Sequence, residues 1–91
     1  MRTLIALLAT LSLAAPALAS SDEAWNDFRK DVEETCKALV QDPGEITVEV
    51  NPFGSESYGA AIVTVSAEAG TDRMVCIYAK ETGKAELTSP F

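Results

Sequence analysis

The stretch "RMVCIYAKETGKAEL", residues 73–87, decides how this chain folds. Its first eight residues alternate, with Met74, Cys76 and Tyr78 on one side and Val75, Ile77 and Ala79 on the other, which is the two-residue period of a β-strand. Residues 81–84, ETGK, supply a turn, and residues 85–88 read as a short closing strand with Ala85 and Leu87 on one side. Both sides of the 73–80 strand are apolar, so alternation by itself does not say which one faces a core. Cys76 resolves this through its partner.

The second cysteine, Cys36, lies in "SDEAWNDFRKDVEETCKALVQDPG", residues 21–44. Trp25, Phe28, Val32, Cys36, Leu39 and Val40 follow one another at steps of three, four, four, three and one, which places them on one stripe of an amphipathic helix. Asn26, Asp27, Lys30, Glu33, Glu34 and Lys37 form the opposite, solvated face. Ser21 is a natural N-cap, Asp22 and Glu23 suit the first turn, and Lys37 suits the last. Pro43 and Gly44 stop the helix, predicted to run for about 20 residues. If Cys36 faces the sheet and bonds Cys76, then Met74, Cys76 and Tyr78 face the helix, and Val75 and Ile77 face away from it.

The bond itself is expected from compartment. Residues 1–19, MRTLIALLATLSLAAPALA, have one Arg near the start, an apolar and small stretch of about 12 residues, Pro16, and the small pair Ala17 and Ala19. That layout is a secretory signal peptide cleaved after Ala19, and the apolar stretch is short of the roughly 20 residues of a membrane span. Removing it from 91 residues leaves a single domain of 72, from residue 20 to residue 91, in the periplasm or outside the cell. There two thiols pair, and a domain of this size gains much from a staple. Two isolated cysteines in a chain with no histidine make a poor zinc set, and a nucleophilic Cys lacks a basic partner.

Working back from residue 73, residues 68–72, EAGTD, read as a turn, and residues 58–67 as a strand with Gly59, Ala61, Val63, Val65 and Ala67 toward the helix. Small Gly59 and Ala61 leave room for Trp25 or Phe28 to lie across the sheet. Residues 45–51 alternate as well, with Ile46, Val48 and Val50 inward. The fold class is therefore α+β: one N-terminal amphipathic helix packed on a four-stranded antiparallel meander and stapled by Cys36–Cys76. On the outer face of that sheet Ala60, Ile62, Val75 and Ile77 cluster, flanked by Thr47, Glu49 and Glu86, and an apolar patch with a polar rim is a candidate interface.

Between the first two strands, "NPFGSESYG" carries turn formers Asn51, Pro52, Gly54 and Ser55. Phe53 is not needed for such a turn. Either it folds back to cap the core, or with Tyr58 it is presented to a partner. The candidate contact residues are thus Phe53, Tyr58, Ile62, Val75 and Ile77.

The succession of "DVEETCKAL", "DPGEITVEV", a strand opening on Tyr58, and "CIYAKETGKAEL" resembles the PepSY type of small extracytoplasmic domain, over about residues 30–87. Ala79 stands where that pattern has an aspartate, and the cysteine pair is foreign to it. The resemblance implies a non-catalytic module that binds or restrains a peptidase or another extracytoplasmic partner.

Charge and chemistry narrow the function further. Seven basic residues become six without Arg2, against fourteen acidic ones, a net charge of −8. Nucleic acid and anionic membrane surfaces call for clusters of Lys and Arg, and this chain has none. The absence of histidine removes Ser-His and Cys-His catalysis, the carboxylate pairs lie on the solvated helix face or at its start, and no phosphate loop or cofactor motif is present. The expected function is a secreted or periplasmic binding or inhibitory module acting by protein–protein contact. The alternative is a structural or self-associating envelope protein that uses the outer sheet face.

Overall fold

The computed structural model describes residues 21–91, so the signal-peptide reading of residues 1–19 lies outside the described residues. Helix α1 spans Asp22–Ala38 and is followed by strands β1 (Glu45–Val50), β2 (Tyr58–Ala67), β3 (Gly70–Ala79) and β4 (Ala85–Leu87). The strands form one antiparallel sheet in sequence order. This is the α+β meander that the alternation and the cysteine pair predict. Cys36 and Cys76 are joined, with their Cα atoms 6.0 Å apart.

The helix starts where the side chain of Ser21 accepts a hydrogen bond from the Ala24 N–H at 3.1 Å. Asp22 and Glu23 occupy the positive end of its dipole and Lys37 the negative end. It is 17 residues long, shorter than the apolar stripe suggests. Leu39 is the C-cap and is exposed, while Val40 leaves the helix and packs beside the core. The turn that follows brings Gly44, at φ +145°, so near β2 that a Cβ there would lie 2.7 Å from the Ser66 carbonyl oxygen.

The core is the layer between α1 and the inner sheet face: Val32, Cys36, Ala61, Val63, Val65, Met74, Cys76 and Tyr78. The register stacks it in rows, with Val50 opposite Ala61 opposite Cys76, and Val48 opposite Val63 opposite Met74. Cys76 looks inward, and the parity drawn from it holds for every neighbour on β2 and β3 that reaches the helix. The exception is Ala67, predicted inward and found exposed, because the β2–β3 hairpin is exposed throughout residues 66–73.

That hairpin also turns earlier than expected. Ala67 pairs with Gly70, so the reversal is Glu68 and Ala69 alone, and Gly70, Thr71 and Asp72 belong to β3 rather than to the turn. Neither turn residue takes positive φ, and Gly70 directly after them does, at +142°. A turn without positive φ mismatches the strand twist, and glycine absorbs the difference.

Candidate binding face

Loop 51–57 is built from its polar residues. The Asn51 side-chain oxygen accepts from the N–H groups of Phe53 (3.2 Å) and Gly54 (2.8 Å), and the Ser55 N–H donates to the Tyr58 carbonyl at 2.7 Å. Gly54 sits at φ +70°, where a Cβ would meet that same Tyr58 oxygen at 2.2 Å. Two long basic side chains then tie the loop down. From α1, Arg29 donates to the Pro52 carbonyl at 2.9 Å, and beyond β3, Lys80 Nζ donates to the carbonyls of Phe53 (3.0 Å) and Ser55 (2.7 Å).

Phe53 points toward the helix. Its ring meets Trp25 edge-on at 4.8 Å between centroids, Trp25 meets Phe28 at 5.6 Å, and Phe28 meets Tyr78 at 6.0 Å. The Arg29 guanidinium lies 5.6 Å from the Phe53 ring, and the Lys80 ammonium lies 5.0 Å and 5.4 Å from the rings of Phe28 and Trp25. Each such contact stabilises by electrostatic attraction between a cation and the negative ring face. Phe53 thus extends the core by a line of four aromatic rings, although 55% of its surface remains exposed. Phe28, rather than Trp25, occupies the space above Gly59.

Tyr58 goes the other way. As the neighbour of inward Gly59, it lies on the outer sheet face, 51% exposed, so the pairing of Phe53 and Tyr58 at one loop tip is corrected: they stand on opposite sides of the sheet. Tyr58 instead joins Ile62, Val75 and Ile77. The register sets Tyr58 beside Ala79, Ala60 beside Ile77, and Ile62 beside Val75, so a large side chain faces a small one in the first two pairs and two aliphatics meet in the third. The surface is therefore knobbed rather than flat. One shallow hollow is lined by Glu49, Ala60, Ile62 and Val75, and another by Tyr58, Ile77, Ala79, Lys84 and Glu86.

Glu49 pairs with Ile62 on one flank and Glu86 with Ile77 on the other, so a carboxylate stands beside each apolar row. The same face holds Arg73, whose guanidinium lies 5.3 Å from the Phe91 ring. Alternation placed Ala79 on the side of Val75 and Ile77, but its position beside Tyr58 follows from register. The place of Lys84 there was not legible in the sequence, and the roles of Arg29 and Lys80 depend on contacts across 23 to 27 residues of chain. Among the described residues no three of His, Cys, Asp and Glu gather in a metal-binding group, and no helix is long and apolar enough to cross a membrane. No protein-family model, curated protein or solved structure matches this chain.

Proposed function

We propose that this protein is a non-catalytic extracytoplasmic module that binds a partner protein through the outer face of its sheet. The observation that carries this reading is the inequality of the two sheet faces. Helix α1 covers the inner face completely enough to bury Val63, Cys76 and Tyr78, while the outer face leaves Tyr58, Ile62, Val75 and Ile77 as one contiguous apolar strip, with Ile77 42% exposed. Burying such a strip is the ordinary driving force of association. A buried disulfide is compatible with an oxidising compartment, and residues 1–19 read as a secretory leader, which supports placing the module in the periplasm or outside the cell. The lack of histidine and the PepSY-like order of elements support a binding rather than a catalytic role.

A photo-crosslinking amino acid placed at position 77, with a control at helix position 30, tests this in the cells that make the protein. We expect a discrete adduct from position 77 and none from position 30. An adduct of twice the chain mass would replace the partner with a second copy, and the absence of any adduct from position 77 would reject the outer face as a contact surface.

A further inference from the structure

We infer that the partner segment received by the outer sheet face is a basic amphipathic helix, with an apolar stripe flanked by Lys or Arg on both sides. The inference rests on the proposed use of that face and adds the chemistry of what it binds.

The geometry comes from the register. Glu49 on β1 and Glu86 on β4 bracket the apolar rows from opposite edges of the sheet. Three inter-strand spacings separate those strands, about 14 Å at the usual 4.7–4.9 Å each. A helix with its side chains is about 10–12 Å across, so its apolar stripe can rest on Ile62, Val75 and Ile77 while basic side chains on its two shoulders reach the two carboxylates. The small residues Ala60 and Ala79 provide the hollows into which helix side chains insert, between the knobs of Tyr58, Ile62 and Ile77. The inner face of the same sheet already receives a helix, α1, so helix on sheet is a packing this surface spacing accommodates.

The charge comes from the whole chain. Fourteen carboxylates outnumber the basic residues, and three of the latter already make contacts within the chain that hold their side chains without cancelling their charge: Arg29 against Phe53 and Pro52, Arg73 against the exposed Phe91 ring, and Lys80 against Trp25, Phe28 and two carbonyls. On the outer face Lys84 stands at the Tyr58 end of the strip and Arg73 beyond Val75 at the other, so Glu49 and Glu86 are the charges beside its middle rows. A second copy is disfavoured on the same ground, since two strongly acidic chains would meet with Glu49 and Glu86 of each at the contact. A basic partner is attracted to the face before it docks, and its side chains then meet carboxylates already in position.

The test uses two helical probe peptides composed of leucine and lysine or of leucine and glutamate, with leucine on one face in both, titrated onto the purified disulfide-bonded protein by fluorescence anisotropy. The lysine peptide should bind, and the glutamate peptide should bind at least about tenfold more weakly. Glu49→Lys with Glu86→Lys should weaken the lysine peptide by about tenfold. Asp27→Lys with Glu34→Lys, the same change in net charge placed on the exposed face of α1, should weaken it less than about threefold. Equal losses in the two double variants would mean unspecific attraction to an acidic protein and would overturn the inference. Equal binding of the two peptides, both lost in Ile77→Lys, would also overturn it while leaving the outer face as a contact surface. Lysine-peptide binding that Ile77→Lys leaves unchanged would instead reject the outer-face reading beneath it. All five substituted positions lie on exposed surface, and far-ultraviolet circular dichroism on each variant verifies that the fold is retained.

Discussion

A methyl group added at Gly59 would come within 2.9 Å of the Phe28 ring and 3.0 Å of a Val32 methyl carbon, whereas one added at Gly54 would come within 2.2 Å of a backbone oxygen at a positive φ. The difference sets an order. Side-chain ends can yield by a few tenths of an ångström, so Gly59→Ala should cost about 1–2 kcal/mol of overpacking. Backbone cannot yield, so Gly54→Ala should cost more, about 2–3 kcal/mol, and urea titrations of the two variants compare them directly. Lys80 is the other residue whose role is out of proportion to its type. Its ammonium holds two carbonyls of loop 51–57 while lying near two aromatic rings. Lys80→Met retains the apolar stem and removes the charge, so it should release the loop without unfolding the sheet. Chymotrypsin should then cut after Phe53 several times faster, with stability lowered by only about 1–2 kcal/mol. Unchanged cutting would show that Arg29 and the Asn51 turn hold the loop without Lys80.

At the scale of elements, a helix of 17 residues is marginal in isolation, and α1 persists because Val32 and Cys36 are fully buried against the sheet. Its covalent tie closes 40 residues of chain, which in the chain-entropy account contributes about 4 kcal/mol, a large part of the stability of a domain this small. Cys36→Ser with Cys76→Ser should therefore lower the unfolding free energy by about 4 kcal/mol. The urea midpoint of the double variant measures this, and a change below about 1 kcal/mol would mean that packing alone holds α1 on the sheet. The strands need the bond less, since β2 and β3 pair over ten residues each. The helix is thus the element most exposed to reduction. Hydrogen exchange in the reduced protein should rise first in α1 and β1 and last in β2 and β3.

Across the whole molecule, the two faces of one sheet have opposite sensitivity to substitution. Val63 is fully buried beneath α1, and Val63→Ala should cost about 2–3 kcal/mol. Ile77 is 42% exposed on the outer face, and Ile77→Lys should change stability by less than about 1 kcal/mol while abolishing contact through that face. Thermal unfolding of both variants, paired with the crosslinking and peptide measurements, separates a folding face from a binding face. A large loss of stability in Ile77→Lys would mean that the outer aliphatics serve the fold.

The chain's local periods were sufficient for the elements and for much of their arrangement. Alternation in residues 45–50, 58–67 and 73–79 marks the strands, the stripe from Trp25 to Cys36 marks the helix, and the position of Cys36 on that stripe makes Cys76 an inward residue, from which the outer patch of Ala60, Ile62, Val75 and Ile77 follows. These features repeat every two residues or every turn, so neighbours in sequence carry them. What only the tertiary structure decided is the direction of Phe53, its separation from Tyr58 across the sheet, the hold of Arg29 and Lys80 on loop 51–57, and the short turn at Glu68 and Ala69. Loop 51–57 has no period to read, and the charges that anchor it are distant in sequence and become its neighbours only when the sheet forms. Which face of residues 73–79 looks inward is set by one covalent partner. The direction of a lone ring in an aperiodic loop had no such constraint until the rings and cations around it were in place.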